Sequence, residues 1–172
     1  MDKNSIKKRT ITFRKAMAKD CNFYFAVAND LLSRANSFHA QPIAYEDHVQ
    51  WFQKKISDPR TKMYVLEYGG EAAGQIRFDC SSSGECEVDV GIHPNFRNKG
   101  VAKTGLLEVS RFVLGSDDVK KIIARVKREN EFSQRAFISA GFSVLREDVL
   151  HGEPVVTMNL KKTEGGEIKS GK

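Results

Sequence analysis

The stretch that most constrains this chain runs from residue 85 to residue 114. Residues 85–92 alternate, with Val88, Val90 and Ile92 on one face and Glu87, Asp89 and Gly91 on the other, the period-two pattern of a strand covered on one side. A donor-rich turn follows over 93–99. Gly100 then opens a segment whose apolar residues Ala102, Leu106, Val109 and Val113 recur at spacings of four, three and four, the stripe of a helix with one buried face. A strand that turns directly into a helix packed on its own sheet is a unit of layered α/β folds. The joint is also suited to an anion. The first amides of a helix have no partner within it and lie at the positive end of its dipole, and a glycine there lets a phosphate approach the backbone. Arg97 and Lys99 add charge at the same end. The segment carries neither the Gly-Lys-Ser/Thr of a nucleotide phosphate loop nor the Gly-x-Gly-x-x-Gly of a dinucleotide site.

The rest of the chain predicts the other layers. A strand is expected over 11–13, a helix over 19–32 on the strength of Phe23, Val27 and Leu31, and a loop over 33–44. A second helix covers 45–56, with Val49, Phe52 and Ile56 in one stripe. Strands over 62–68 and 71–79 flank Gly69-Gly70, a two-residue hairpin turn. A turn at 81–84 leads to the alternating strand, and beyond the long helix come a strand over 121–126, a helix over 130–140 stopped by Gly141, and strands over 142–145 and 155–160. This order is that of an α/β (α+β) single-domain fold, a mixed central sheet of about seven strands flanked by about four helices. The domain is expected over 10–162, with a flexible terminus at 1–9 and a disordered basic tail at 163–172.

Composition narrows the class. Most of the net charge of +6 sits on the two ends, where Lys3, Lys7, Lys8, Arg9, Lys161, Lys162, Lys169 and Lys172 outnumber the acids. A nucleic-acid reader places its basic excess on the folded surface, so no nucleic-acid partner is expected. No apolar run approaches the ~20 residues of a membrane span, and the start of the sequence lacks a secretory signal, so a cytoplasmic protein without a membrane partner is expected. Cys21, Cys80 and Cys86 form no metal-ligand pattern and are expected to be free thiols, with no metal.

Arg97-x-x-Gly100-x-Ala102 after an alternating strand resembles the acetyl-CoA signature of the GNAT superfamily of N-acetyltransferases. Asn130-x-x-Ser133, Phe137 and Ala140-Gly141-Phe142 are similar to the later segment of the same superfamily. The resemblance implies a GNAT-like fold and acetyl-CoA as co-substrate. It implies backbone amides of Asn98, Lys99, Gly100, Val101 and Ala102, with Arg97, around the pyrophosphate, Ile92 beside the pantetheine arm, and Asn130, Ser133 and Phe137 along the coenzyme. At the position of Phe137 many members carry a tyrosine that protonates the departing thiolate; phenylalanine cannot.

Acetyl transfer to an amine sets further demands. An alkyl ammonium has a pKa near 10.4, so only about one molecule in a thousand is neutral at pH 7 and a base is needed. Glu87 and Asp89 share the polar face of the strand leading to the cradle and are the candidate bases, Glu87 first. A strand amide near Ile92 is the expected donor to the carbonyl oxygen. Direct transfer in a ternary complex is expected.

The run Asn29, Arg34-x-x-Ser37-Phe38, Tyr45-Glu46-Asp47-His48 and Trp51-Phe52 resembles a subgroup of these enzymes that acts on nucleotide-linked 4-amino sugars in pseudaminic-acid-type pathways. It departs from that subgroup in Val27-Ala28 before Asn29, where Trp-Arg is usual. The resemblance makes the partner a small-molecule amine, a nucleotide-linked amino sugar, with Arg34 on a phosphate, Phe38 or Trp51 on a ring face, and Asn29 and His48 on hydroxyls. The alternatives are a polyamine or protein N-terminus, with Glu46, Asp47, Glu87 and Asp89 forming an acidic pocket, and a non-catalytic coenzyme-binding module. A monomer or homodimer is expected.

Overall fold

The structure, a computed structural model, describes residues 10–162; the expected flexible terminus and basic tail lie outside the described residues. Seven strands form one sheet: β1 (Ile11–Lys15), β2 (Thr61–Tyr68), β3 (Glu71–Cys80), β4 (Glu85–Ile92), β5 (Lys121–Lys127), β6 (Ser143–Leu150) and β7 (Glu153–Lys161). The order is β1-β2-β3-β4-β5-β7-β6. Five helices accompany it: α1 (Cys21–Ala28), α2 (Leu31–Asn36), α3 (Tyr45–Ser57), α4 (Val101–Leu114) and α5 (Glu131–Ser139). The mixed single-domain sheet is the one the element order predicts.

α4 and α5 pack on one face of the sheet. Their core joins Leu66, Ile76, Val88, Leu106, Val109 and Met158. α1 and α3 cover the opposite face of β2 and β3 through Tyr24, Phe52, Met63 and Val65. Three close approaches use glycine. At Gly91 a methyl group would meet Val27 Cγ1 of α1 at 2.7 Å, and at Gly74 it would meet Ile92 Cδ1 at 2.7 Å. At Gly105 it would overlap Leu66, with Cδ2 at 2.9 Å.

Two expectations are corrected. The helix expected over 19–32 is divided. Asn29 ends α1, and Asp30 starts α2 by accepting a hydrogen bond from the Ser33 amide at 3.1 Å, an ordinary N-cap that restarts the chain in a new direction. The loop expected over 33–44 accordingly begins only after Asn36. The cysteines differ too. Cys80 and Cys86 oppose each other in the β3–β4 register and form a disulfide, and Cys21 alone is a free thiol.

Candidate active site

The sheet opens at its centre. β4 is parallel to β5, but their pairing covers only Glu85↔Lys121, Cys86↔Ile122 and Glu87↔Ile123. β4 stays paired to β3 as far as Ile92, and β5 to β7 as far as Lys127. The two halves of the sheet therefore separate after Glu87. The backbone of residues 88–92 presents an edge toward the gap, where an extended ligand can pair as an added strand.

The start of α4 lies at the same end of β4. Asn98 and Gly100 both have left-handed backbones, with φ of 60° and 78°. Gly100 is the N-cap and supplies no side-chain cap. The first bond of the helix runs from the Thr104 amide to the Gly100 carbonyl at 3.0 Å, so the amides of Val101, Ala102 and Lys103 precede the ladder. No atom lies within 4 Å of where a Gly100 side chain would start. Open backbone, unused amides and the helix dipole fit a pyrophosphate.

The neighbouring side chains serve to shape this loop. Arg97 pairs with Asp30, which ties the loop to the start of α2. Lys99 donates to the Asn95 carbonyl at 2.8 Å and lies over Phe96, 5.2 Å from the ring centre. Val101 is buried in the core and Ala102 is half-buried. Ile92, half-buried, packs on the same core. Asn130 caps α5, its side chain accepting from the Ser133 amide at 3.1 Å. Phe137 is 4% exposed and packs edge-on against Phe142 at 5.0 Å.

The two candidate bases differ. Glu87 lies on the last paired rung and is bound by Arg125 of β5. Asp89, two residues on, has passed the point of separation. Its Oδ2 accepts from Gln75 Nε2 at 3.1 Å and lies 3.7 Å from Arg77 NH1. The remaining β5 cations on this face are also engaged: Lys121 with Glu85, and Lys127 with Glu153 and the Ala35 carbonyl. Sequence reasoning misses Gln75 and Arg77. Their signal is the alternation Gln75-Ile76-Arg77-Phe78-Asp79, whose polar face is the face of Asp89.

Of the expected acceptor contacts, three hold the fold. Asn29 donates to and accepts from the Ile43 backbone at 3.0 and 2.9 Å, pinning the α2–α3 loop. His48 is 2% exposed and bonds the Cys21 carbonyl at 3.0 Å, and burial lowers its pKa below the usual histidine value. Arg34 donates to the carbonyls of Ala28 at 2.6 Å and His39 at 3.0 Å. Burial lowers its pKa, and Asp89 acts on it in the opposite sense, which sets Arg34 within electrostatic reach of that carboxylate. Trp51 is half-buried beneath the Arg77 guanidinium, 5.0 Å from the ring centre. Phe38 is half-buried near His151 of the β6–β7 turn at 6.3 Å, and His39 is 5.6 Å from the same ring.

The family described as acetyltransferase (GNAT) domain matches residues 10–143. No curated protein matches the chain by sequence. Among solved structures, the chain is similar to spermidine N-acetyltransferase from Vibrio cholerae in complex with CoA and spermine, with 18% identity, a TM-score of 0.78, and 88% of this chain and 95% of that one covered. It is also similar to an aminoglycoside acetyltransferase in complex with coenzyme A, with 15% identity, a TM-score of 0.77, and 89% and 95% covered. The same aminoglycoside enzyme with kanamycin gives 14% identity and a TM-score of 0.77, over 89% and 95%. At these identities the likeness is one of fold. The family match spans most of the chain and takes in the β4–α4 joint with its open backbone: the chain belongs to the GNAT acetyltransferase family.

Proposed function

We propose that this chain transfers an acetyl group from acetyl-CoA to the primary amine of a sugar, in the first instance a nucleotide-linked amino sugar. The observation that carries the reading is the coincidence of two features at one end of β4: the loss of its β5 partner after Glu87 and the uncapped amides that begin α4. When bound, acetyl-CoA supplies a thioester carbonyl that the amine nitrogen attacks, the C–N bond forming as the C–S bond breaks and the electron pair leaves on sulfur. The amides of Val101, Ala102 and Lys103 hold the diphosphate. The free backbone edge of residues 88–92 aligns the pantetheine arm and offers an amide to the carbonyl oxygen. Asp89 anchors the incoming ammonium and takes its proton. Its difference from Glu87 lies in its neighbours: Glu87 is bound by Arg125 of β5, whereas Asp89 lies beyond the last β4–β5 rung and is held by Gln75 and Arg77 of β3, both side chains being about half exposed. Phe137 supplies no acid, and a thiol with a pKa near 8.5 leaves without one.

The acceptor wall favours a sugar. The α2 segment and the β6–β7 turn approach each other through Phe38, His39 and His151, and Lys127 closes on the Ala35 carbonyl. Flat, partly exposed rings suit a sugar face or a base. A polyamine would draw on Asp89 and on Glu46 and Asp47, exposed on the first turn of α3, since Glu87 is paired with Arg125. Kanamycin, bound by one neighbour in fold, is itself an amino sugar. Spermine is bound by another, so spermidine is the second acceptor to try. The test is thiol release from acetyl-CoA with a UDP-linked 4-amino sugar, kanamycin, spermidine and an N-terminal peptide in parallel. A higher kcat/KM for the nucleotide sugar is expected. Preference for spermidine or the peptide refutes the sugar, and turnover of none with tight CoA binding makes the chain a coenzyme-binding module.

A further inference from the structure

The polar face of β3 reaches Asp89 from beneath α1 and α3. Gln75 is 5% exposed, and its side-chain amide spans Gly91, on the adjacent strand, to reach Asp89 Oδ2. Arg77 stands on the other side of the same oxygen. It is held by its own partners: Nε donates to Asp79 Oδ2 at 2.8 Å, Lys55 fixes Asp79 Oδ1 at 2.6 Å, and Trp51 lies under the guanidinium. Both contacts to Asp89 fall on Oδ2. Gln75 Oε1 is buried and has no hydrogen-bond partner among the described residues. A buried amide left half satisfied is unfavourable for folding, and an apolar side chain of similar size would avoid that cost. Its retention therefore needs an explanation outside stability.

We propose that Gln75 and Arg77 are positioning residues for the amine: they fix the Asp89 carboxylate through Oδ2, so that Oδ1 is presented at the free edge of β4 where the acceptor nitrogen must sit. The proposal rests on the reading of Asp89 as the carboxylate that serves the amine.

The test compares Gln75→Leu, Arg77→Met and Asp89→Asn with the wild-type chain, using whichever of a UDP-linked 4-amino sugar, kanamycin or spermidine the wild type acetylates fastest. Gln75→Leu is expected to keep or raise Tm and to leave acetyl-CoA affinity unchanged. Its kcat falls about tenfold or more while the KM for acetyl-CoA stays unchanged. Arg77→Met lowers kcat in the same way; should it fail to fold, Gln75→Leu decides alone. If Gln75→Leu loses Tm while keeping kcat, Gln75 is structural and the proposal is overturned. It is overturned equally if Asp89→Asn is inactive but Gln75→Leu is not impaired. Full activity in Asp89→Asn, or turnover of none of the three amines by the wild type, overturns the reading of Asp89 itself.

Discussion

Two glycines five residues apart at the start of α4 separate coenzyme binding from folding, and Gly100→Ala and Gly105→Ala together test the cradle. At Gly100 the backbone is left-handed, with φ of 78°, and no atom lies within 4 Å of a new methyl group. The cost to folding is then backbone strain alone, about 1–2 kcal/mol, or a fall in Tm of roughly 2–8 °C for a chain of this size. In the coenzyme complex, however, that methyl group stands where the diphosphate must approach, and any relaxation of φ turns the first amides of α4 away. Acetyl-CoA affinity is expected to fall at least about tenfold, which corresponds to roughly 1.4 kcal/mol. Gly105 is the converse. Its methyl group would overlap Leu66, which is fully buried. Overpacking costs about 1–3 kcal/mol, offset by about 1 kcal/mol of helix propensity gained over glycine. The net loss of up to roughly 2 kcal/mol lowers Tm by at most about 8 °C and leaves the coenzyme site intact. Isothermal calorimetry with acetyl-CoA and a thermal melt on each variant give the two readouts. Unchanged affinity in Gly100→Ala, with the strain visible in its Tm, refutes the claim that the opening amides of α4 hold the diphosphate.

Three more predictions concern buried or backbone-bonded residues. Burial lowers the pKa of His48, so the folded state binds fewer protons than the unfolded one. Stability is full above the ordinary value of about 6.5 and declines as pH falls through the lowered folded value. Melts from pH 7.5 to 5 should show a steeper loss in the wild type than in His48→Gln, and parallel curves would contradict this. Asn29→Ala removes both bonds to the Ile43 backbone and should cost about 1–3 kcal/mol with the KM for the amine unchanged; a KM that rises severalfold at constant Tm would return Asn29 to the acceptor site. Phe137→Ala empties a site packed on Phe142 and should cost about 3–5 kcal/mol, seen as a Tm loss of at least roughly 6 °C; a loss of kcat with little change in Tm would mean that the ring acts on the coenzyme instead.

The parts of the fold that are legible in the sequence are those where burial leaves a periodic trace. Strand β4 and helix α4 have one apolar face each, and the structure bounds them within a residue of the pattern. Strand β6 shows only its first three residues in the pattern because it lies at the sheet edge with seven of its eight residues exposed. Arg146, Glu147 and Asp148 need no alternation where neither face is buried. The break between α1 and α2 is hidden by accident. Leu31 continues the spacing of Phe23 and Val27, yet it is 88% exposed, and the cap at Asp30 is the better signal. The disulfide is hidden because opposition of Cys80 and Cys86 is a matter of hairpin register.

The candidate site divides along the same line. Its backbone half is written in a glycine and an alternating strand, which single residues declare. Its side-chain half depends on which strand lies opposite, and that changes within β4 itself. Glu85 faces Lys121, Glu87 faces Arg125, and the cation of β5 that would continue the series, Lys127, has turned to Glu153 and the Ala35 carbonyl. The carboxylates at 87 and 89 are equivalent in the sequence pattern, on one face of one strand, and both are exposed. The separation of the two half-sheets between them removes the β5 partner from one and not from the other. The difference in surroundings between Asp89 and Glu87 is therefore a consequence of where two strands part, and no local motif carries it.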